Sequence, residues 1–254
     1  MKAFLLAAWS LVLRDYRVRF RRTLLGVVWF FVPLFTLVSV ALLVGKDLGL
    51  YPEGQSRDYL LRLLTGLMLW QLFADTWLEP MRLARRANML LRSVVFDARI
   101  LLAAGAISAV VAIALKLPVL LAAAIWFQAP LSVALGWFPV GICVLIAIGM
   151  AMACLTLPLS LALLDVRYAM PVVQYALLLA TPIFYASPDS GPLQWINQVN
   201  PFTYVMVPFL DLMTGTMPDV TAVLGLVVLA ACLLWLGLLY YQAKVRLAVA
   251  YIGR

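Results

Sequence analysis

The sequence contains no histidine among its 254 residues. The usual general base and the commonest metal ligand are therefore missing. Its three cysteines, Cys143, Cys154 and Cys232, all lie inside apolar runs. Free cysteine packs as a small hydrophobe, and this spacing offers neither a metal cluster nor a disulfide framework. Cys143 and Cys154 are eleven residues apart and share a helical face. No G-x-x-x-x-G-K-[ST], G-x-S-x-G or H-E-x-x-H motif occurs, so a phosphate-cradling loop, a nucleophile elbow and a zinc-protease helix are excluded. Charge is scarce at 12% of residues, against about a quarter in soluble domains. Asp75 is the one clear carboxylate inside an apolar run. No internal repeat is visible, which counts against a transporter built of inverted repeats. Without a catalytic constellation the chain reads as a non-enzyme whose energy comes from a partner. No metal or cofactor of its own is expected.

What is abundant is hydrophobicity, at 66% of residues. That places the chain among all-α integral membrane proteins. The formal charge of +8 does not point to nucleic acid, because the charges sit between apolar runs and leave no soluble basic groove. Six runs approach the 20 or so apolar residues that cross a bilayer. They cover about 24–44, 60–77, 100–127, 137–164, 170–185 and 221–241. The loops 79–99 and 165–169 then fall on the same side as both termini.

Basic residues choose that side. Residues 1–23, 79–99, 165–169 and 243–254 hold fifteen of the nineteen lysines and arginines. The other side holds Lys46 and Arg57, with Arg62 at its border, and collects Asp47, Glu53, Asp58, Asp189, Asp211 and Asp219. The positive-inside rule therefore puts both termini in the cytoplasm.

Five arginines between Arg14 and Arg22 stand directly before the first apolar run. A signal peptide carries its charges ahead of the apolar stretch, so residues 1–22 do not read as one. Leu5, Ala8, Trp9, Val12, Leu13, Tyr16 and Phe20 follow helical spacing on one face, with Arg14, Arg17 and Arg21 opposite. This is the pattern of an amphipathic helix over 1–23 lying in the membrane interface, its collar attracting anionic headgroups. Lys116 interrupts the third run. The expectation is that it snorkels to the headgroups, with Pro118 bending the chain just beyond. A water-facing position is the alternative.

Residues 186–219 are too apolar for a solvated loop. Pro188, Gly191, Pro192, Asn200, Pro201, Gly215 and Pro218 punctuate them. Between these lie "LQWINQV" and "FTYVMVPFLDLM", read as a short re-entrant external helical hairpin between spans five and six, gating a pathway. Trp195, Asn200, Pro201, Phe202 and Tyr204 are its candidate gate residues.

Four segments carry a family resemblance. "RDYRVRFRRTLLGVVWFFVPLF" opens with Arg14-Asp15, then Arg19-Phe20, Leu25-Gly26, Trp29 and Pro33. "ANMLLRSVVFDARI" carries Asn88, Phe96 and Arg99, with Asp97 where a proline is usual. "DVRYAMPVVQYALLLATPIFY" has Leu164 before it in place of an arginine, and Thr181-Pro182 in place of Ser-Pro. "NPFTYV" covers residues 200–205. In this order they resemble the permease subunits of type-2 ABC exporters, and most closely those exporting O-antigen or related lipid-linked polysaccharides.

The resemblance implies that residues 1–254 form one exporter transmembrane domain in a bacterial inner membrane. The assembly would be a homodimer with two ATPase subunits, which hold the ATP and magnesium. Residues 79–99 would carry a coupling element in a groove of the ATPase, with Met89, Leu90 and Leu91 as an apolar plug beside Arg86, Asn88 and Arg92. Asp165 and Arg167 would form a smaller second contact. Aromatics suited to a sugar route are Trp29 and Phe30, then Trp70, Phe73 and Trp77 at helical spacing, then Tyr175, Phe184 and Tyr185. The same architecture could export a drug, a lipid or another small hydrophobe. An ATPase-independent transporter or channel is the rival from another class.

Overall fold

A computed structural model of the protein describes residues 2–21, 26–47, 56–86, 99–130, 132–185 and 191–252. Every regular element among them is helical. The order is α1 (Lys2–Arg21), a 3-10 turn (Gly26–Phe30), α2 (Val32–Asp47), α3 (Ser56–Arg86) and α4 (Arg99–Trp126). A second 3-10 turn (Val133–Trp137) precedes α5 (Phe138–Ala162) and α6 (Leu164–Ala180). Two short helices, α7 (Pro192–Val199) and α8 (Pro201–Leu210), a last 3-10 turn (Leu212–Thr214) and α9 (Val220–Ile252) complete the chain.

Among the described residues, three helical segments are long and apolar enough to cross a membrane: Arg99–Trp126, Val133–Ala162 and Val220–Val245. Val32–Leu43 is a shorter apolar helix. The chain is a multi-pass membrane protein. The six expected spans are not all met on those terms, for physical reasons visible in the sequence. α3 has 31 residues but carries Arg57, Asp58, Arg62, Asp75, Glu79, Arg82, Arg85 and Arg86. α6 has 17 residues, a length of about 25 Å.

The boundaries differ from the apolar runs in two places. Helix α3 continues to Arg86 instead of ending near Trp77, so Glu79, Arg82, Arg85 and Arg86 are helical. Pro80 sits inside it; it leaves the Thr76 carbonyl without its usual partner yet does not end the helix. Helix α6 starts at Leu164, one extended residue after α5, so Asp165 and Arg167 lie in its first turn. It ends at Ala180, and Thr181–Tyr185 is not helical.

Helix α3 is the centre of the bundle, packed by α2, α4, α5, α6 and α8. Leu61, Leu63, Leu67, Met68, Leu69, Trp70, Phe73, Trp77 and Leu83 are all essentially solvent-free. Glycines set the close approaches. A Cβ added to Gly105 of α4 would lie 2.4 Å from the Pro80 ring, and one on Gly141 of α5 2.8 Å from the Phe209 ring. Helix α9 lies along α5, burying Val223, Leu226, Ala230, Tyr241 and Val245 at three- and four-residue spacing. Its start is capped by Asp219, whose carboxylate accepts from the Thr221 amide at 2.9 Å and the Thr221 hydroxyl at 2.7 Å. Those bonds hold the Asp219 carboxyl below its usual range.

Helix α1 is amphipathic. Ala8, Leu11, Val12 and Tyr16 are buried on a helix that packs against α4, while Leu5 and Trp9 of the expected apolar face are exposed. The Tyr16 hydroxyl anchors the packing at Ser108, 3.1 Å from its carbonyl and 3.0 Å from its hydroxyl. Cys154 is buried, whereas Cys143, on the same face of α5, is exposed.

Candidate functional site

The least ordinary feature is a line of charged and polar side chains along α3. Gln71, Asp75, Glu79, Arg82 and Arg86 recur at spacings of three and four, which places them on one helical face. At the deep end, Lys116 of α4 donates to Gln71 Oε1 at 2.6 Å and lies 4.0 Å from Asp75 Oδ2. Arg82 reaches Asp75 Oδ1 at 3.4 Å and Glu79 Oε2 at 3.2 Å. Arg86 meets Glu79 Oε1 at 3.3 Å and both carboxylate oxygens of Asp15 at 2.7 Å. Three cations and three anions form an unbroken ladder joining α4, α3 and α1.

Lys116 does not snorkel as expected. Its side chain is 6% exposed and it lies within α4, which runs on past Pro118 to Trp126. The physical reason is the pair of acceptors on α3 directly opposite. Leaving them for the headgroups would break the 2.6 Å bond to Gln71 and leave Asp75 with Arg82 as its remaining cation in the ladder. The ladder was missed in the sequence because a proline inside a helical pattern reads as a stop, and only a helix running past Pro80 shows the shared face.

The opposite face of α3 is fastened differently. Asn200 separates α7 from α8, its side-chain oxygen accepting from the Phe202 amide at 3.0 Å, a standard N-cap. Its amide donates to the Ala180 carbonyl and the Thr181 hydroxyl, each at 3.1 Å. One side chain thus starts α8 and closes the end of α6. Tyr185 donates to Asn197 Oδ1 at 3.0 Å, and Tyr59 of α3 to the Phe184 carbonyl at 2.8 Å. Phe202 stacks on Phe73 and Trp70 with ring centroids 4.9 and 5.9 Å apart. Trp77 extends the cluster through Phe73 at 5.7 Å. At the far end of α8, Asp211 pairs with Arg62 at 3.6 Å. Since Phe202 meets Trp70 and Phe73 while Asp211 meets Arg62, α8 runs antiparallel to α3. Its start lies about 14 Å further along α3 than its end.

The aromatic candidates therefore fall into two groups. Trp70, Phe73 and Trp77 are interior side chains of this single chain. The Trp77 indole donates to the Thr156 hydroxyl at 3.1 Å, and among the described residues the Trp70 indole nitrogen has no partner. Trp29, Tyr175, Trp195 and Tyr204 are exposed. Tyr204 donates to the Gln198 carbonyl at 3.0 Å, and Phe30 packs on Tyr16 at 5.6 Å. Phe184 and Tyr185 are half-buried beyond α6. Pro201 is the first residue of α8.

Of the candidate coupling residues, Arg86 is the last of α3 and the end of the ladder. Asn88, Met89, Leu90, Leu91 and Arg92 lie outside the described residues. Asp165 is exposed, and Arg167 turns back to donate to the Ser160 carbonyl at 3.0 Å. Among the described residues, no group of histidine, cysteine, aspartate and glutamate could hold a metal.

No curated protein matches the chain. The profile of the ABC-2 type transporter family matches residues 7–214, which takes in α1, the whole ladder and both short helices. Members of that family are in general non-catalytic membrane components that pair with ATPase subunits. The chain belongs to the ABC-2 type transporter family, as the transmembrane permease of an ABC transporter.

Proposed function

We propose that the chain is the permease half of an ATP-driven exporter of a lipid-linked, O-antigen-like polysaccharide. The observation that carries the substrate is the ordered resemblance of four segments, residues 14–35, 87–100, 165–185 and 200–205, to polysaccharide permeases. The basic residues gathered on one side support a bacterial inner-membrane orientation with both termini in the cytoplasm. Two copies would assemble with two ATPase subunits, which bind ATP and magnesium.

In this reading the Arg86 end meets the ATPase. Asn88, Met89, Leu90, Leu91 and Arg92 dock in its groove, and Asp165 and Arg167 add a smaller contact. The bonds of Arg86 to Asp15 and Glu79 support this by linking the start of the docking segment to α1 and α3. The hairpin of α7 and α8 closes the outer end, hinged at Asn200-Pro201. Exposed Trp29 and Tyr175, with Phe184 and Tyr185, form the wall that meets sugar, while Trp70, Phe73 and Trp77 form the packing behind it.

One observation favours a small hydrophobe instead. An apolar groove of about 430 Å³ between α8 and α9 is lined by Thr203, Tyr204, Val207, Pro208, Ala222, Gly225 and Leu226. Purification of the tagged permease in mild detergent decides between them. The polysaccharide reading requires a co-purifying nucleotide-binding subunit and a bound glycan. An ATPase with lipid or drug but no glycan would overturn the substrate, and no ATPase would overturn the assembly.

A further inference from the structure

The ladder on α3 poses a solvation problem that the bundle itself does not solve. Asp75 lies eleven residues before Arg86, about 16 Å along the axis, yet its side chain is 31% exposed. Arg82 is 40% exposed. At that depth a hydrocarbon neighbour is excluded, because ionised side chains inside a membrane face protein or water. The direction of Arg82 agrees. An arginine surrounded by lipid extends to the nearest headgroups, here toward Arg86. Arg82 instead turns deeper into the bundle, to Asp75 and Glu79. At the deep end the amide nitrogen of Gln71 is buried without a partner among the described residues.

Burial follows a gradient. Lys116 is nearly closed off, at 6% exposure, while Asp75, Arg82 and Arg86 are at 31%, 40% and 36%. Glu79, at 4%, lies on the inner side of the stripe and bonds both arginines. The stripe is therefore open along one side from Arg86 inward to Gln71, which is itself partly exposed, and closes at Lys116. Charge on it sums to zero, so it needs no net counter-charge from a bound ion or a partner surface.

We infer that this face of α3 borders a water-filled recess that enters the membrane from the Arg86 end and stops at Lys116. The inference is independent of what the protein exports. It gives the polar part of a cargo a hydrated way to about half the depth of the bilayer. It also explains how the four ladder charges of α3, Asp75, Glu79, Arg82 and Arg86, persist in a helix at the centre of a membrane bundle: water completes the coordination that the ladder leaves open.

The test uses membrane vesicles carrying the full-length protein with Cys143, Cys154 and Cys232 replaced by alanine. A cationic, membrane-impermeant thiol reagent is supplied on both sides, and modification rates are compared at single introduced cysteines. Val110 of α4 is the matched control, because it is eleven residues from Arg99 and 45% exposed on an apolar surface. The expected result is that Asp75→Cys and Gln71→Cys react at least about tenfold faster than Val110→Cys, since the thiolate is the reacting species and forms in water. Rates at positions 71 and 75 as slow as at 110 would overturn the recess, whether lipid or a second copy covers the stripe. If Asp75→Cys fails to accumulate, Gln71→Cys, which keeps every charge of the ladder, decides the matter alone.

Discussion

One face of α3 is held by charges, and the opposite face mainly by caps and rings. The first ties three helices through six charged groups, of which Asp75, Arg82 and Arg86 are more than 30% exposed. The second ties α3, α6, α7 and α8 through Asn200, two tyrosine hydroxyls and a four-ring cluster, with the ion pair Arg62–Asp211 beside them. The difference is one of reversibility. Partly exposed ion pairs exchange partners at little cost, whereas a buried ring or a capped carbonyl has no alternative partner nearby. The charged face is therefore suited to rearrange, and the ring-packed face is suited to hold its geometry until several bonds break together.

Phe202→Ala is the strongest way to test that contrast. It opens a cavity against Trp70 and Phe73 and should cost about 3–5 kcal/mol, read as a large drop in thermal midpoint with altered tryptophan emission. A midpoint within a degree of the parent would show that α8 is not fastened by its rings. Gly105→Ala comes next. Its methyl would meet the Pro80 ring, forcing α4 from α3 beside Glu79. Overpacking of this kind costs about 1–3 kcal/mol, and Gly105→Ser should behave alike because the clash is at Cβ. Asn200→Ala should cost about 1–2 kcal/mol through loss of the cap, and release the amide bonds to Ala180 and Thr181. Its signature is local: faster hydrogen exchange in residues 178–185 and 201–205 and no change near Arg86.

How much of this was legible beforehand follows the same division. The bend at Asn200-Pro201 is written in local chemistry, since an asparagine before a proline caps and starts a helix without reference to the rest of the chain. The amphipathic period of α1 is equally local, although hydrophobicity alone does not say that Ala8, Leu11, Val12 and Tyr16 are the residues the bundle covers. The ladder was not local. Lys116 reads as a stray cation until Gln71 and Asp75 are set beside it by packing of α4 on α3. Glu79 and Arg82 read as loop residues because Pro80 ordinarily ends a helix. Nor did the order of residues show that Trp70, Phe73 and Trp77 would be covered by Phe202, a residue more than a hundred positions away.

The smallest expected effect is the most specific to the comparison. Asp15→Asn removes the carboxylate that Arg86 meets at 2.7 Å and keeps the side chain's shape. Arg86 is 36% exposed and retains Glu79, so the loss should be no more than about 1 kcal/mol at low salt. Raising ionic strength to about 1 M shortens the screening length to about 3 Å, and the difference between Asp15→Asn and the parent should then shrink toward zero. The Asn200→Ala deficit, which contains no ionic contribution, should keep its size over the same range. A double-mutant cycle with Arg86→Gln isolates the pair: its coupling should fall with salt, while the coupling of Asn200→Ala with Thr181→Val should not. If Asp15→Asn were instead as costly as Asn200→Ala and indifferent to salt, the charged face of α3 would be as rigid as the ring-packed one. The ladder would then serve as a fixed brace and not as a joint.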